Sequence, residues 1–535
     1  MVFKDAAAAK TKNERETAVQ GIVSNMTLDE KIHLMAGNDF FSSMRPYGSD
    51  TFNAGGIKRL GIPEIKFTDG PRGVMLNHST CFPVTMARGA TWDPALEERV
   101  GDAMGREAAA QGANFTGAVC MNVLRHPAWG RAQETPGEDP MHIGAMAAAL
   151  TTGIQKHIMA CMKHFAANSI ECARFYVDAQ MDERTLREVY LPHFKKCVDA
   201  GVASAMGAYN RLNGHYCCHN HHLLTDILKD EWGFDGFVVS DFNLGLRGAD
   251  AAAAGLDIEM PWRVFFGALL KNSVRNGKVP AERIDDAAAR IIRQLARFAP
   301  VLERRPPKSV VACEEHRMLA REVAQKGIVL LKNERGLLPL AAGARRIAVI
   351  GRLADADNTG DTGSSIVRPR YVVTPLEGIR AAAGPAAEVT YADGRSISRA
   401  ERAARNADVA IVVAGLTSKD EGEFIAMLNP AGDRVRLGLS DADEKLIRAV
   451  AAANKACIVV LEGGSAITMD AWAPLVPAIL MAWYPGMEGG NAIADIIFGK
   501  VNPGGRLPVM FPREGQPLPH FDRWAISEKY DLYHG

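Results

Sequence analysis

GFDGFVVSDF, residues 233–242, is the stretch on which the fold turns. Gly233 and Gly236 punctuate a turn, residues 237–239 form the apolar run of a buried strand, and the run stops at Ser240, Asp241 and Phe242. An aspartate there can cap the next helix, close an ion pair, bind a metal or attack a substrate. Ten residues do not choose among these, but their surroundings narrow the field. Other apolar runs in the first half also stop at polar groups: IKFTDG at Asp69, TGAVCMN at Asn122, IMACMKH at Lys163 and His164, VASAMGAYN at Tyr209 and Asn210, and LDIEMP at Glu259. Helical patterns such as MHIGAMAAALTTGIQKH and DERTLREVYLPHFKKCVDAG lie between them; the second has an acidic first turn and stops at glycine. Strand and helix in alternation predict a parallel sheet. Polar groups at the ends of many strands converge only if the strands form a ring, so a TIM-type (β/α) barrel is preferred to an open sheet, its catalytic face at the carboxyl ends of the strands.

At 535 residues the chain exceeds what one core serves, and two or more domains are expected. Its 62 basic and 62 acidic side chains cancel. That balance leaves no electrostatic footprint for nucleic acid or an anionic membrane and points to a neutral or small partner. The nine cysteines are scattered through apolar segments such as MACMKHF and KACIVVL, and the adjacent Cys217 and Cys218 lack CxxC spacing, so a reduced compartment is expected. MVFKDAAAAKTKNERETAVQ at the N-terminus lacks the apolar centre of a signal peptide, and no run approaches the ~20 apolar residues of a membrane span. A cytoplasmic location follows as the expectation.

Residues 1–300 are assigned to the barrel and 301–313, rich in proline and charge, to a linker. Residues 314–505 read as a second α/β unit. Its helix EEHRMLAREVAQKG precedes the strand candidates IVLLK, RIAVIG, DVAIVVAGL, ACIVVLEGG and PAILMAWYPG, with SDADEKLIRAVAAAN and GGNAIADIIFG as intervening helices. An open sheet with helices on both faces is the simplest arrangement. Residues 506–535, proline-rich and aromatic, read as an arm.

On a shared rim, Asp69, Lys163, His164, Tyr209 and Asp241 line one pocket edged by Phe242 and Trp129. Such a pocket suits a polyhydroxylated ring, which needs many donors and acceptors and an apolar wall for its C–H face. Neither GxxxxGK[ST] nor a convincing GxGxxG occurs, and no cofactor is expected. The histidines of HYCCHNHH have irregular spacing and no HExxH frame, so no metal is expected either.

An ordered set of motifs extends through nearly the whole chain: TLDEKIHLMAG, TDGPRG, NVLRHPAWGRAQETPGEDP, MKHFAANSIE, MGAYNRLNG, WGFDGFVVSDF, AGLDIEMP, VLLKNERGLLPL, DTGSSIV, DEGE, YPGMEGG and PGGRLPVMFP. The set resembles family 3 of the glycoside hydrolases, of the β-glucosidase type. The resemblance implies a barrel joined to an α/β sandwich, with the nucleophile on the first, the acid/base on the second, and retention through a covalent glycosyl-enzyme. It implies Asp241 as nucleophile and Asp69, Arg131, Lys163, His164, Met206, Tyr209 and Phe242 as sugar-holding positions. Relatives usually carry tryptophan at the place of Phe242, and many carry arginine near the place of Met75. Glu421, followed by glycine, matches the acid/base motif best and Glu423 is the alternative; a compact SEGxDR is split here by an insertion before Asp433 and Arg434. The serines of DTGSS are read as bringing a hydroxyl to the sugar. Lys163, Arg131 and the Tyr209 hydroxyl are expected to keep Asp241 ionised, and a less polar loop to raise the acid/base. The implied substrate is an oligosaccharide or an aryl or alkyl β-glycoside, with β-xylosidase, β-glucan exohydrolase and transglycosylase as related alternatives and a non-catalytic carbohydrate-binding protein as a remoter one. A homo-oligomer is compatible with the sequence. Relatives commonly continue past YDLYHG into a fibronectin type III-like domain, so Tyr530 and Tyr533 are expected to lack cover.

Overall fold

The computed structural model describes residues 1–38, 47–242, 245–340, 345–425 and 430–531. Its first body contains β1 (Phe52–Ile57), β2 (Ile62–Thr68), β3 (Phe115–Cys120), β4 (Met159–Phe165), β5 (Ser204–Gly207) and β6 (Phe237–Ser240), adjacent in that order. Strands β2 to β6 are parallel; β1 runs antiparallel to β2. Short bridges complete the ring: Val239 of β6 to Ile258, Glu259 to Ala36, and Gly37 to Ala54 of β1. Five of the six predicted strand ends therefore sit on full strands, while LDIEMP enters only through its bridges. Pro261 has no N–H to extend a ladder, and the Glu259 carboxylate accepts the backbone N–H groups of Val264, Phe265 and Phe266. Every residue of β3 and β4 is buried, as expected of parallel strands covered on both faces.

Local chemistry starts the barrel helices. Asp93 caps helix Pro94–Ala110, and Asp139 caps Pro140–Ile154 by accepting from Met141 and His142; each helix has proline in its first turn. The segment predicted as one helix after Asp182 is divided into a turn at Glu183–Thr185, a π-helical stretch at Leu186–Tyr190 and a helix at Pro192–Asp199. Pro192, lacking an N–H, restarts the helix.

The second body contains β7 (Val329–Asn333), β8 (Arg346–Ile350), β9 (Glu388–Ala392), β10 (Val409–Gly415), β11 (Cys457–Glu462) and β12 (Ala478–Met481), in spatial order β7-β12-β11-β10-β8-β9. Only β7 is antiparallel to its neighbour. Alternate residues enter two separate cores: Val349, Ile411 and Val460 on one face, Ile350, Val412 and Val459 on the other. The latter core also takes Met86, Trp129 and Ala132 from the barrel body and so joins the two. Trp129, expected at the pocket edge, lies in that joint, 2% exposed. The chain order reverses between β8 and β10, and loops beyond their carboxyl ends meet at this switch point, the usual place for a ligand in a doubly wound sheet.

Near its end the chain returns to the barrel body, where Ser527–Lys529 pairs in parallel with Asp178–Gln180. Tyr530, expected to lack cover, is 1% exposed beneath Arg125 and beside Tyr190. Tyr533 lies outside the described residues. All nine cysteines are free thiols, eight of them buried. Among the described residues no helix is long and apolar enough to cross a membrane.

Candidate active site

Asp241 follows the last residue of β6, whose end is pinned by Ser240 N–H donating to Ile258 O at 2.9 Å. Its Oδ1 accepts the Phe242 amide at 2.7 Å, while Oδ2 has no hydrogen-bond partner among the described residues and stands 3.6 Å from His164 Nε2. Burial raises the carboxyl to about 6, even though Lys163, Arg131 and Arg174 pull it down. The cations thus act in the expected direction, and desolvation exceeds them. The Tyr209 hydroxyl donates to Phe242 O at 2.7 Å and is also coupled to Asp241.

His164 is held neutral, burial first and then Arg131, Lys163 and Arg174 pushing it far below the usual range. Asn122 fixes its orientation: Nδ2 donates to His164 O at 2.8 Å, and Oδ1 accepts the His164 amide at 2.9 Å and faces Nδ1 at 3.3 Å. A proton on Nδ1 leaves the Nε2 lone pair for Arg131 Nη1 at 3.2 Å. Lys163 Nζ donates to Asp69 Oδ1 at 2.7 Å, a pair almost wholly buried. Phe242, half-buried, meets Phe52 edgewise and Phe67 at a tilt, with centroids at 5.1 and 4.9 Å. Met206 lies in the barrel core at 1% exposure. Met75 is buried, and its carbonyl and that of Tyr47 accept from Arg368, which reaches this loop from the second body.

The two acidic candidates of the second body face different surroundings. Glu421 is fully buried; its Oε1 accepts from Tyr484 OH at 2.7 Å and Gly464 N at 2.6 Å, and Oε2 is 3.9 Å from Arg434 Nε. Burial raises it, as expected of an acid, but these partners all belong to the second body. Glu423 faces the barrel, with Oε1 3.1 Å from Arg174 Nη1 and 3.6 Å from Arg131 Nη1, and Oε2 accepting Ser364 N at 2.5 Å. Burial by itself would raise this carboxyl; Arg131, Arg174 and Ser364 outweigh it and hold the group well below its ordinary range. Arg131 Nη1 thus faces both Glu423 and His164, the neighbour of Asp241. Its own charge is met by Glu134, at 3.1 and 2.7 Å.

Close backbone approach makes the junction possible. A Cβ on Gly130 would fall 2.4 Å from Gly432 O and 2.5 Å from Gly422 O, so glycine in AWGR admits the loop that carries Glu423. Asp433 tightens it by accepting the amides of Gly130, Glu171 and Cys172. In DTGSS, Ser364 Oγ accepts from Arg131 at 3.3 Å and Ser365 donates to Asp361. Sequence reasoning missed Asn122's orienting role, Glu134, Glu171 and Arg174. Asn122 ends a strand run and was open to detection, whereas Glu171 and Arg174 sit in NSIECARF, with no periodic signal. Three of the four histidines of HYCCHNHH pair with carboxylates: His219 with Asp250, His221 with Asp226, and His222 with Asp226 and Glu183.

A ring of strands with buried polar side chains at its mouth, met there by a carboxylate from a doubly wound sheet, is the arrangement expected of a two-domain glycoside hydrolase. The models for the glycosyl hydrolase family 3 N-terminal and C-terminal domains match residues 53–294 and 328–534. The chain is 34% identical to a beta-glucosidase of Bacteroides ovatus, over 95% of this chain and 73% of that protein. It is 33% identical to an exo-alpha-(1->6)-L-arabinopyranosidase of Bifidobacterium breve, over 96% and 69%. Among solved structures, beta-glucosidase 3B from Thermotoga neapolitana in complex with alpha-D-glucose superposes with a TM-score of 0.87 at 30% identity, over 97% of this chain and 80% of that one. The protein belongs to glycosyl hydrolase family 3.

Proposed function

We propose that the protein is an exo-acting, retaining β-glucosidase that removes terminal non-reducing β-D-glucosyl residues by double displacement. Asp241 attacks the anomeric carbon through its unpartnered Oδ2, and Glu423, in place of Glu421, protonates the leaving oxygen and then activates water. Retaining enzymes hold such carboxyls about 5 to 5.5 Å apart. The observation that carries the assignment is Arg131 Nη1, which stands 3.6 Å from Glu423 Oε1 and 3.2 Å from the imidazole beside Asp241. Asp69, Lys163, His164 and Arg131 supply charged and polar contacts for sugar hydroxyls, Phe242 and Met206 an apolar wall, and Tyr209 a hydroxyl at the rim. The arginine neighbours of Glu423 favour its ionised form, so it must gain a proton before it can act as the acid.

In Asp241→Ala, turnover of an aryl β-glucoside should be lost, and azide should restore part of the rate as a glycosyl azide of inverted configuration. Near-normal activity would remove Asp241 as nucleophile. The likeness to an arabinopyranosidase over almost the whole chain favours a second reading, a pentopyranosidase on the same machinery. Relative kcat/KM on aryl β-glucoside, β-xyloside and α-L-arabinopyranoside decides between them.

A further inference from the structure

Glu171 and Arg174 lie on the loop after β4 and are both buried, at 0% and 3% exposure. A single nitrogen, Arg174 Nη1, is bonded to Glu171 Oε1 and stands 3.1 Å from Glu423 Oε1. Glu171 Oε1 also accepts the amide of Phe424, the residue after Glu423, at 3.1 Å. The Arg174 guanidinium is fixed over the rings of Phe175 and Tyr209, at 4.8 and 5.1 Å. A barrel loop thus grips the side chain and the backbone of the residue assigned as proton donor.

The local charges do not balance. Arg131 and Arg174 face three buried carboxylates, Glu134, Glu171 and Glu423. A third unpaired negative charge at such a site is costly, and uptake of one proton relieves it. Glu134 is held by Nε and Nη2 of Arg131, whereas Glu171 and Glu423 meet at the single nitrogen Arg174 Nη1 and are the two that compete for it. Resting on the assignment of Glu423 as acid/base, we propose that Glu171 and Arg174 are positioning residues that control whether Glu423 carries a proton, the two carboxylates holding one proton between them across Arg174. In the free enzyme the proton is assigned to Glu171. Burial raises Glu171 to about 8, while Arg131, Arg174 and Ser364 keep Glu423 ionised against its own burial. A sugar that draws Arg131 onto its hydroxyls weakens the hold on Glu423 and passes the advantage to it. The other titratable groups coupled to Glu423 are Asp361, which accepts its amide, Asp69 with its partner Lys163, and the phenols of Tyr47 and Tyr209.

The test is the pH dependence of kcat/KM on a disaccharide and on a dinitrophenyl glycoside. Glu171→Gln keeps shape but removes the carboxyl with which Glu423 shares the proton, so Arg174 acts on Glu423 alone. The alkaline limb for the disaccharide should then move down by about one pH unit, while the dinitrophenyl substrate, which needs no acid, loses less than about threefold. Arg174→Gln should move the limb up, and Glu171→Asp should restore it towards the parent. Equal losses on both substrates with the limb unmoved in Glu171→Gln would reduce the pair to a structural role and overturn the proposal. Failure of the underlying reading has a separate signature: Glu423→Ala would then show no leaving-group preference.

Discussion

Replacing Glu421 with alanine removes one carboxylate that serves three groups. Tyr484 OH and Gly464 N lose their acceptor, and Arg434, 4% exposed, loses its carboxylate neighbour at 3.9 Å. An orphaned buried donor costs about 1–3 kcal/mol, and breaking a buried charge pair about 3–5 kcal/mol. These penalties overlap, so a total near 4 kcal/mol is expected, which for a body of this size lowers the melting temperature by roughly 8–16 °C. Glu423→Ala should behave differently. Arg131 keeps Glu134 and Arg174 keeps Glu171, so its stability should stay within about 1 kcal/mol of the parent. Its cost is kinetic: general acid catalysis contributes about 10²–10⁴-fold, all of it needed for a sugar leaving group and little for dinitrophenolate. Calorimetry, with kcat/KM on cellobiose and on dinitrophenyl β-glucoside well below the melting range, separates the two. A Glu421→Ala enzyme of normal stability that had lost only the cellobiose reaction would refute this reasoning and return the acid to Glu421.

The acid limb of kcat/KM should fall as pH drops through about 6, because Asp241 attacks only when ionised and burial has raised it to that value. Lys163→Met removes a charge that lowers it, so the limb should move to higher pH. The same shift has a stability sign: the folded state binds this proton more tightly than the unfolded one, so the group's contribution is full below about 4 and lost as pH rises through about 6. Denaturation of Asp241→Asn should show a gain over the parent at pH 7 that vanishes near pH 3. Gly130→Ala sets a methyl against two carbonyls of the loop that carries Glu423, and a displacement of about 1 Å there should cost about 10²-fold in kcat. If unfolding midpoint and kcat both stay at the parent values, the loops are not docked as described.

Much of the site was legible because strand ends advertise themselves. Asp69, Lys163, His164 and Asp241 each close an apolar run, and the barrel brings the four together as a consequence of strand order alone. Where periodicity was diluted, reading failed: β1 contains Gly55 and Gly56, and β9 alternates exposed and half-buried residues at a sheet edge. Glu171 and Arg174 escaped for a different reason, since a charged pair in a loop looks like any solvated pair until burial is known.

Composition, periodicity and the order of the motifs determined by themselves that this chain makes a barrel and a doubly wound sheet, since apolar runs and caps act over a few residues. Which acidic side chain faces the barrel was decided only in three dimensions. Glu421 and Glu423 stand two residues apart on one loop, and their directions depend on Gly130, Asp433 and Arg174, groups far away in the chain that meet this loop only when the two bodies dock. The electrostatics were settled at the same moment, because desolvation and ion pairing exist only after distant charges have been buried together.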